Sequence, residues 1–199
     1  LYRKAEQNIV LQIPIEGRIL ELPLHKAKLF SKNVSFVLSS TREEINYEPG
    51  YYLQGKITGE ENSFAAISLF ATHAGGVIAY RGQNYTLAIA SKNNDYNISE
   101  YILFADGDTK LPGITCDTPD EPFTANIEPA TAQRRSRLLD CPIDIYFEAA
   151  NKIYLAQGSN TVNVLNYLTT VFNSVQLLYA NEDISIQIRE VIVWNNPDP

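Results

Sequence analysis

The most reactive side chains in this sequence are two cysteines and two histidines. Cys116 lies in "KLPGITCDTP" and Cys141 in "LLDCPID", 25 residues further along the chain. This separation allows a disulfide, but it also allows two unpaired thiols, and spacing does not decide between them. His25, in "PLHKAK", and His73, in "FATHAGG", each stand alone, and we expect both at the surface.

Three arginines form a basic cluster, "QRRSRLLD", just before Cys141. Arg134, Arg135 and Arg137 are a candidate cleavage site for a trypsin-like processing enzyme, provided that the segment is exposed. A solvated charge cluster is the alternative interpretation. Because the cluster lies where the sequence pattern changes, we give equal weight to a processing site and to a solvated charge cluster.

The composition restricts the class of protein. The chain has 199 residues, of which 45% are apolar and 20% charged, as in soluble globular proteins. Its net charge of -7 argues against nucleic acid as a partner, because phosphate binding needs clustered Lys and Arg. No apolar run approaches the roughly 20 residues that span a bilayer. The opening "LYRKAEQN" has no signal-peptide pattern, so we expect any secretion signal to have been removed or left out.

Alternating apolar and polar residues fill the chain from its start to about residue 104. The segments are "IVLQIPI", "GRILELPL", "KNVSFVLSS", "GYYLQGKITG", "NSFAAISLF", "GGVIAYRG" and "NYTLAIAS", separated by short turn signals that include Gly75, Gly76 and Gly82. This spacing predicts an antiparallel meander that closes as a sandwich or barrel-like domain over residues 1–106. Residues 107–140 hold four of the ten prolines and no apolar face, which predicts an extended linker.

Residues 141–199 follow a different period. "IDIYFEA" alternates as a half-buried strand, and a helical stripe follows from Val164 to Tyr179, with Ser159 or Asn160 as its N-cap. "ISIQIREVIVW" alternates again, with a phase slip at Glu190 that a bulge or burial on two sides would explain. Strand, helix and strand predict a partial α/β (βαβ) unit. Two strands and one helix leave sheet edges and one face uncovered, so we expect this domain to be incomplete within the chain.

Two parts of the chain resemble one protein family. Residues 141–199 are similar to the opening of the catalytic domain of reprolysin-like (adamalysin-type) metzincin zinc endopeptidases. The likeness rests on an acidic first strand, a long helix ending near "LLY", the strand "ISIQIREVIVW" and a "DP" loop. Residues 50–90, with "YYLQGKITGEENSFAAIS", resemble the prodomain of the same enzymes. Together the patterns are moderately specific, whereas each alone also matches generic strand or helix periodicity.

The resemblance implies a secreted or cell-envelope zymogen whose intact form hydrolyses peptide bonds with zinc-activated water. Such enzymes hold zinc with a His-Glu-x-x-His-x-x-Gly-x-x-His helix, which this chain lacks, so we expect the chain alone to be inactive. Its partners would be the remainder of the protease domain and peptide substrates. The rival interpretation is a non-catalytic secreted β-sandwich that binds or inhibits another protein.

Two site assignments follow from the resemblance. Cys116 would place its thiolate on the zinc and block the attacking water, although Asp117 follows it where the family has glycine. Asp144 corresponds to an acidic residue that helps to bind calcium in some adamalysin-type domains. Cleavage at the arginine cluster would separate the propeptide from the enzyme.

Overall fold

Most of the alternating segments form strands in a computed structural model of the protein, which describes residues 8–90, 100–109 and 141–197. The elements, in chain order, are β1 (Asn8–Ile15), β2 (Arg18–Lys26), β3 (Phe30–Leu38), β4 (Tyr51–Gly55), β5 (Phe64–Leu69), β6 (Ala74–Tyr80), β7 (Gln83–Ile89), β8 (Tyr101–Ala105), β9 (Ile143–Ala149), α1 (Asn151–Ala156), α2 (Thr161–Asn181) and β10 (Ile186–Val193). A short 3-10 turn, Asp106–Asp108, follows β8. The described part of the chain is mainly β, which confirms the coarse fold class predicted from the sequence.

Seven strands form one antiparallel sheet in the order β1-β2-β4-β5-β6-β7-β8. Two of its hairpins turn on a residue followed by glycine, both with positive φ: Glu16 (51°) with Gly17 (74°), and Arg81 (50°) with Gly82 (78°). Paired left-handed residues give the tight turn whose twist matches the flanking strands, and glycine adopts that conformation without strain. These turn residues therefore explain why β1 pairs with β2 and why β6 pairs with β7.

The seven-stranded sheet curls around an apolar core of its own. Leu22, Leu53, Ile67 and Ile78 are fully buried on its inner face. The hydroxyl of Tyr85 donates to Glu16 Oε1 at 2.8 Å, which brings β7 to the β1–β2 turn despite their separation in the strand order. Within the described residues β1 and β8 remain the two edges, so the curled sheet is open and does not close as a barrel.

A second sheet joins β3, from the first half of the chain, to β9 and β10 near its other end. Its order is β3-β10-β9, and β10 pairs in parallel with both neighbours. Both pairings shift register between Ile188 and Glu190, which confirms the irregularity predicted from the phase slip. The parallel strands β9 and β10, linked through helices, confirm the predicted strand–helix–strand unit. The edge of β10 that we expected to be uncovered is paired with β3, a strand from the first segment of the chain.

Helix α2 lies between the two sheets. Phe172 is almost fully buried and meets the Phe147 ring of β9 edge to face, with centroids 5.4 Å apart. The same core contains Tyr52 of the seven-stranded sheet and Phe36 of β3. The predicted boundaries at 106 and 140 stay predictions, but residues from both sides of them share this core.

The start of α2 is fixed by Asn160. Its side-chain Oδ1 accepts a hydrogen bond from the backbone N–H of Asn163 at 3.1 Å, so Asn160 rather than Ser159 is the N-cap. The six-residue helix α1 precedes it and was not predicted, because fewer than two turns are too short to show a helical period. Within the described residues, no helix combines the length and the apolar character needed to cross a membrane.

Candidate functional site

Four of the residues singled out in the sequence lie outside the described residues: Cys116, Arg134, Arg135 and Arg137. Their assignments as zinc-blocking thiol and processing site stay predictions. Cys141 is exposed, two residues before β9. Its pairing with Cys116 likewise stays a prediction.

Asp144 is an exposed residue of β9. Its Oδ1 accepts a hydrogen bond at 2.7 Å from Nε2 of Gln187, its register partner on β10. The described residues contain no group of three or more His, Cys, Asp or Glu side chains that could hold a metal ion. The calcium-binding role of Asp144 stays a prediction.

The two histidines lie in different environments. His25 is exposed on β2, as expected. His73 meets the expectation of a surface residue only in part, because it is half-buried and its ring stacks on Phe70 with 4.7 Å between centroids. Burial lowers the pKa of His73 from 6.5 to about 4, because desolvation disfavours the charged ring. His73 is thus a neutral imidazole at pH 7.

Polar side chains attach α2 to the seven-stranded sheet. Asn173 is fully buried, and its Nδ2 donates to the Ile67 carbonyl at 3.2 Å and to Ser68 Oγ at 3.3 Å. Gln176 continues the contact toward the other sheet, donating to the Ile186 carbonyl at 2.8 Å. The stripe of apolar residues in the α2 sequence did not predict that these polar side chains would contact the sheet. Buried amides are tolerated here because strand carbonyls and side chains satisfy them.

A second cluster of polar side chains, around Asn166 and Thr169, lies one to two helical turns before Asn173 on α2. The Tyr47 hydroxyl donates to Asn166 Oδ1 at 2.9 Å and lies 3.4 Å from the hydroxyls of Tyr52 and Thr169. Burial, followed by the nearby Tyr52, raises the pKa of Tyr47 well above its usual value. The Tyr47 phenol is therefore a neutral hydrogen-bonding group that positions Asn166.

Beside Asn166 the helix stands away from the sheet and leaves a cavity of about 340 Å³. Its floor is formed by β6 and β7, where Gly75, Val77, Thr86 and Ala88 are among the lining residues. Its wall is the α2 face that carries Asn166, Thr170 and Ser174, and His73 also lines it. This volume lies within the range of about 300–1,000 Å³ that is usual for ligand sites.

The glycines of this region have a different role from the one predicted. Gly75 and Gly76 are not turn residues but part of β6. A side chain on Gly76 would collide with the Ala66 carbonyl of β5, so glycine there permits close approach of the two strands. The signal for the cavity was the run of small residues in "HAGGV" and "TLAIA", which alternation alone assigns to ordinary strand packing.

No protein-family model matches this sequence, and no curated protein matches it. The resemblance to reprolysin-like enzymes therefore rests on the sequence patterns alone.

Proposed function

We propose that this chain is the propeptide domain and the opening strand–helix–strand segment of a secreted, reprolysin-like zinc metalloendopeptidase. The observation that carries the proposal is the contact between β3 and β10. Ile188 N donates to the Leu29 carbonyl at 2.8 Å, and Ser39 N donates to the Val193 carbonyl at 3.0 Å, one at each end of the pairing. A propeptide that folds together with the first part of its enzyme would make a contact of this kind.

Side chains reinforce the pairing. Ser35 Oγ of β3 donates to Glu190 Oε2 of β10 at 2.9 Å, and Arg189 donates to the Asn33 carbonyl. Ser39, just after β3, donates to Asn196 Oδ1 at 2.7 Å in the loop after β10. These contacts tie the first segment to the strand and loop that resemble the protease, which supports a role in holding that part of the enzyme.

The residues of this chain do not fit the catalytic zinc site. The sequence has two histidines, neither within a His-Glu-x-x-His pattern, and one of them is stacked against Phe70. In the proposal, the zinc ligands belong to a further part of the protease domain, and this chain contributes folding support and latency. Peptide-bond hydrolysis is the activity of the intact protein.

The coding sequence beyond Pro199 tests the proposal. We expect the reading frame to continue and to encode His-Glu-x-x-His within about 150 residues, the usual size of one domain. Protein expressed from that longer frame should bind zinc and hydrolyse a casein substrate after removal of the propeptide. A stop codon directly after Pro199 would exclude the proposal.

The zinc-blocking role of Cys116 has a separate test. Intact-mass measurement of the secreted precursor should give the same mass with and without reductant if Cys116 and Cys141 are both thiols. A gain of the mass of two hydrogen atoms on reduction would show a disulfide and remove Cys116 as a zinc ligand. This result would leave the propeptide role itself intact.

The cavity beside α2 favours one other candidate, a non-catalytic secreted β-domain that binds a ligand or inhibits another protein. It predicts a reading frame that stops without a zinc-binding helix. The coding sequence therefore separates the two candidates directly.

A further inference from the structure

The cavity between α2 and strands β6 and β7 contains hydrogen-bonding groups that the protein leaves unused. Asn166 is 7% exposed, and its Oδ1 is occupied by the Tyr47 hydroxyl. Its Nδ2 makes no hydrogen bond to any described residue, although the side chain lines the cavity. The Ser174 hydroxyl, on the same wall, is also buried without a partner in the described ranges. An unpaired buried donor is unfavourable and rare in native proteins, so the Ser174 hydroxyl indicates a missing partner, whereas Asn166 Nδ2 is a donor accessible from the cavity.

Asn166 and Ser174 lie on the same line along helix α2. Asn166, Thr170 and Ser174 are four residues apart, so they share one face of α2, and the outer two are separated by about 12 Å along the axis. Thr170 uses its hydroxyl internally, donating to the Asn166 carbonyl at 2.8 Å. It therefore presents its methyl group between the two unpaired polar groups.

The other lining residues specify an uncharged, partly aliphatic occupant. The described residues around the cavity include no Asp, Glu, Lys or Arg, and His73 is neutral at pH 7 because burial lowers its pKa. A charged ligand would lose its hydration without gaining a countercharge. Val77 on the floor and Val171 at the mouth offer apolar contact, and Val171 is 45% exposed.

We propose that this cavity binds a small neutral molecule that presents a carbonyl oxygen to Asn166 Nδ2 and a branched aliphatic group to Val77 and Val171. The Tyr47 hydroxyl fixes the amide orientation of Asn166, because it occupies Oδ1 and leaves Nδ2 as the free donor. The site is independent of the proposed zymogen role, since it uses neither the zinc nor the β3–β10 pairing.

The probe is N-acetyl-L-leucine amide, which is neutral and carries carbonyl groups beside an isobutyl chain. Titration of the full chain, followed by methyl NMR, should perturb Val77 and Val171 with a Kd on the order of 1 mM, as expected for so small a ligand. N-acetyl-L-leucine, which differs by its carboxylate, should bind about tenfold more weakly or not at all. Equal binding of both probes, or perturbation only of methyl groups away from the cavity, would overturn the proposal.

Gly75 provides a variant that fills the cavity. A Cβ at this position would lie 3.7 Å from Thr170 Cγ2 and from the Leu87 carbonyl, which is ordinary contact, so Gly75→Val should fold and occupy the site. Its binding of the neutral probe should be lost, whereas Gly107→Val, at a glycine with open space around it, should bind as the parent does. Unchanged binding in Gly75→Val would overturn the proposal.

The exposed Val171 supplies a second variant that does not depend on how Gly75→Val folds. Val171→Asp places a charge at the mouth without disturbing the core and should weaken the neutral probe about tenfold. The control Leu178→Asp, similarly exposed and outside the cavity lining, should bind as the parent does. Equal affinity in Val171→Asp and the parent would contradict the site.

Discussion

Gln54 of β4 donates from Nε2 to both the backbone carbonyl of Asn173, at 3.0 Å, and its side-chain Oδ1, at 3.1 Å. Both residues are buried, so this amide contact joins the helix to the sheet without help from water. Each partner would be left with unsatisfied polar groups if the other were removed, a situation that typically costs about 1–3 kcal/mol.

A double-mutant cycle measures this contact. We expect Asn173→Leu to lower the free energy of unfolding by about 2–3 kcal/mol, because Gln54 Nε2, the Ile67 carbonyl and Ser68 Oγ each lose the bond to the Asn173 side chain. The double variant Gln54→Leu/Asn173→Leu should lose less than the sum of the single variants, with a coupling of about 1–3 kcal/mol in urea denaturation.

The control for the cycle is the exposed pair Gln187–Asp144, which bridges β10 and β9 at 2.7 Å. Gln187→Leu should change the free energy of unfolding by no more than about 0.5 kcal/mol, because water replaces the lost bond. Strict additivity at Gln54 and Asn173 would contradict their role as a coupled pair.

Glycine at position 55 is required by close strand packing. A Cβ on Gly55 would collide with the Pro23 carbonyl of β2, so Gly55→Ala should lower the free energy of unfolding by about 1–3 kcal/mol. Gly107→Ala, which meets nothing within 4 Å, should be nearly neutral. Thermal unfolding followed by circular dichroism compares the two, and equal stability would argue against the pairing of Gly55 with Leu24 between β4 and β2.

The partly buried His73 predicts a pH dependence of stability. Its pKa falls from 6.5 to about 4 on folding, so between these values the unfolded chain binds more protons than the folded one. The contribution of His73 is fully present above pH 6.5 and declines as the pH falls toward 4.

Replacement of His73 tests the assignment. His73→Gln should lose less stability than the parent between pH 6.5 and 4, as measured by urea denaturation at each pH. An NMR titration of the His73 ring in the folded protein should give a midpoint near pH 4. Parallel stability curves together with an ordinary histidine midpoint would contradict the burial of this ring.

The sequence was informative where local periodicity decides structure. Alternation predicted the strands, and the phase slip predicted the register shift at Glu190, because both depend on neighbouring residues. The stripe on α2 was only partly informative: Phe172 is buried as expected, whereas Val171 and Leu178 are about half exposed. The helix touches two sheets, and one contact uses the polar residues Thr169 and Asn173, which an apolar pattern does not reveal.

Long-range pairing was beyond the sequence. The segment that became β3 reads like its neighbours, and nothing in its alternation distinguishes a partner in β2 from one in β10, some 155 residues away. The cavity was missed for a related reason. Its floor and its wall come from segments separated by more than 70 residues. The free Nδ2 of Asn166 is recognisable only once Tyr47 is placed against Oδ1 of the same side chain.

The central claim is that the β-rich first part of the chain, through β3 and the seven-stranded sheet, stabilises the strand–helix–strand segment formed by β9, α2 and β10. Its most direct test is to produce residues 1–137 and 138–199 as separate, co-expressed chains and to examine them by native mass spectrometry. The β3–β10 pairing and the buried contacts of α2 predict a one-to-one complex that survives purification, and Phe36→Asp, at a buried position of β3, should abolish it. Two fragments that separate and fold independently would contradict the claim.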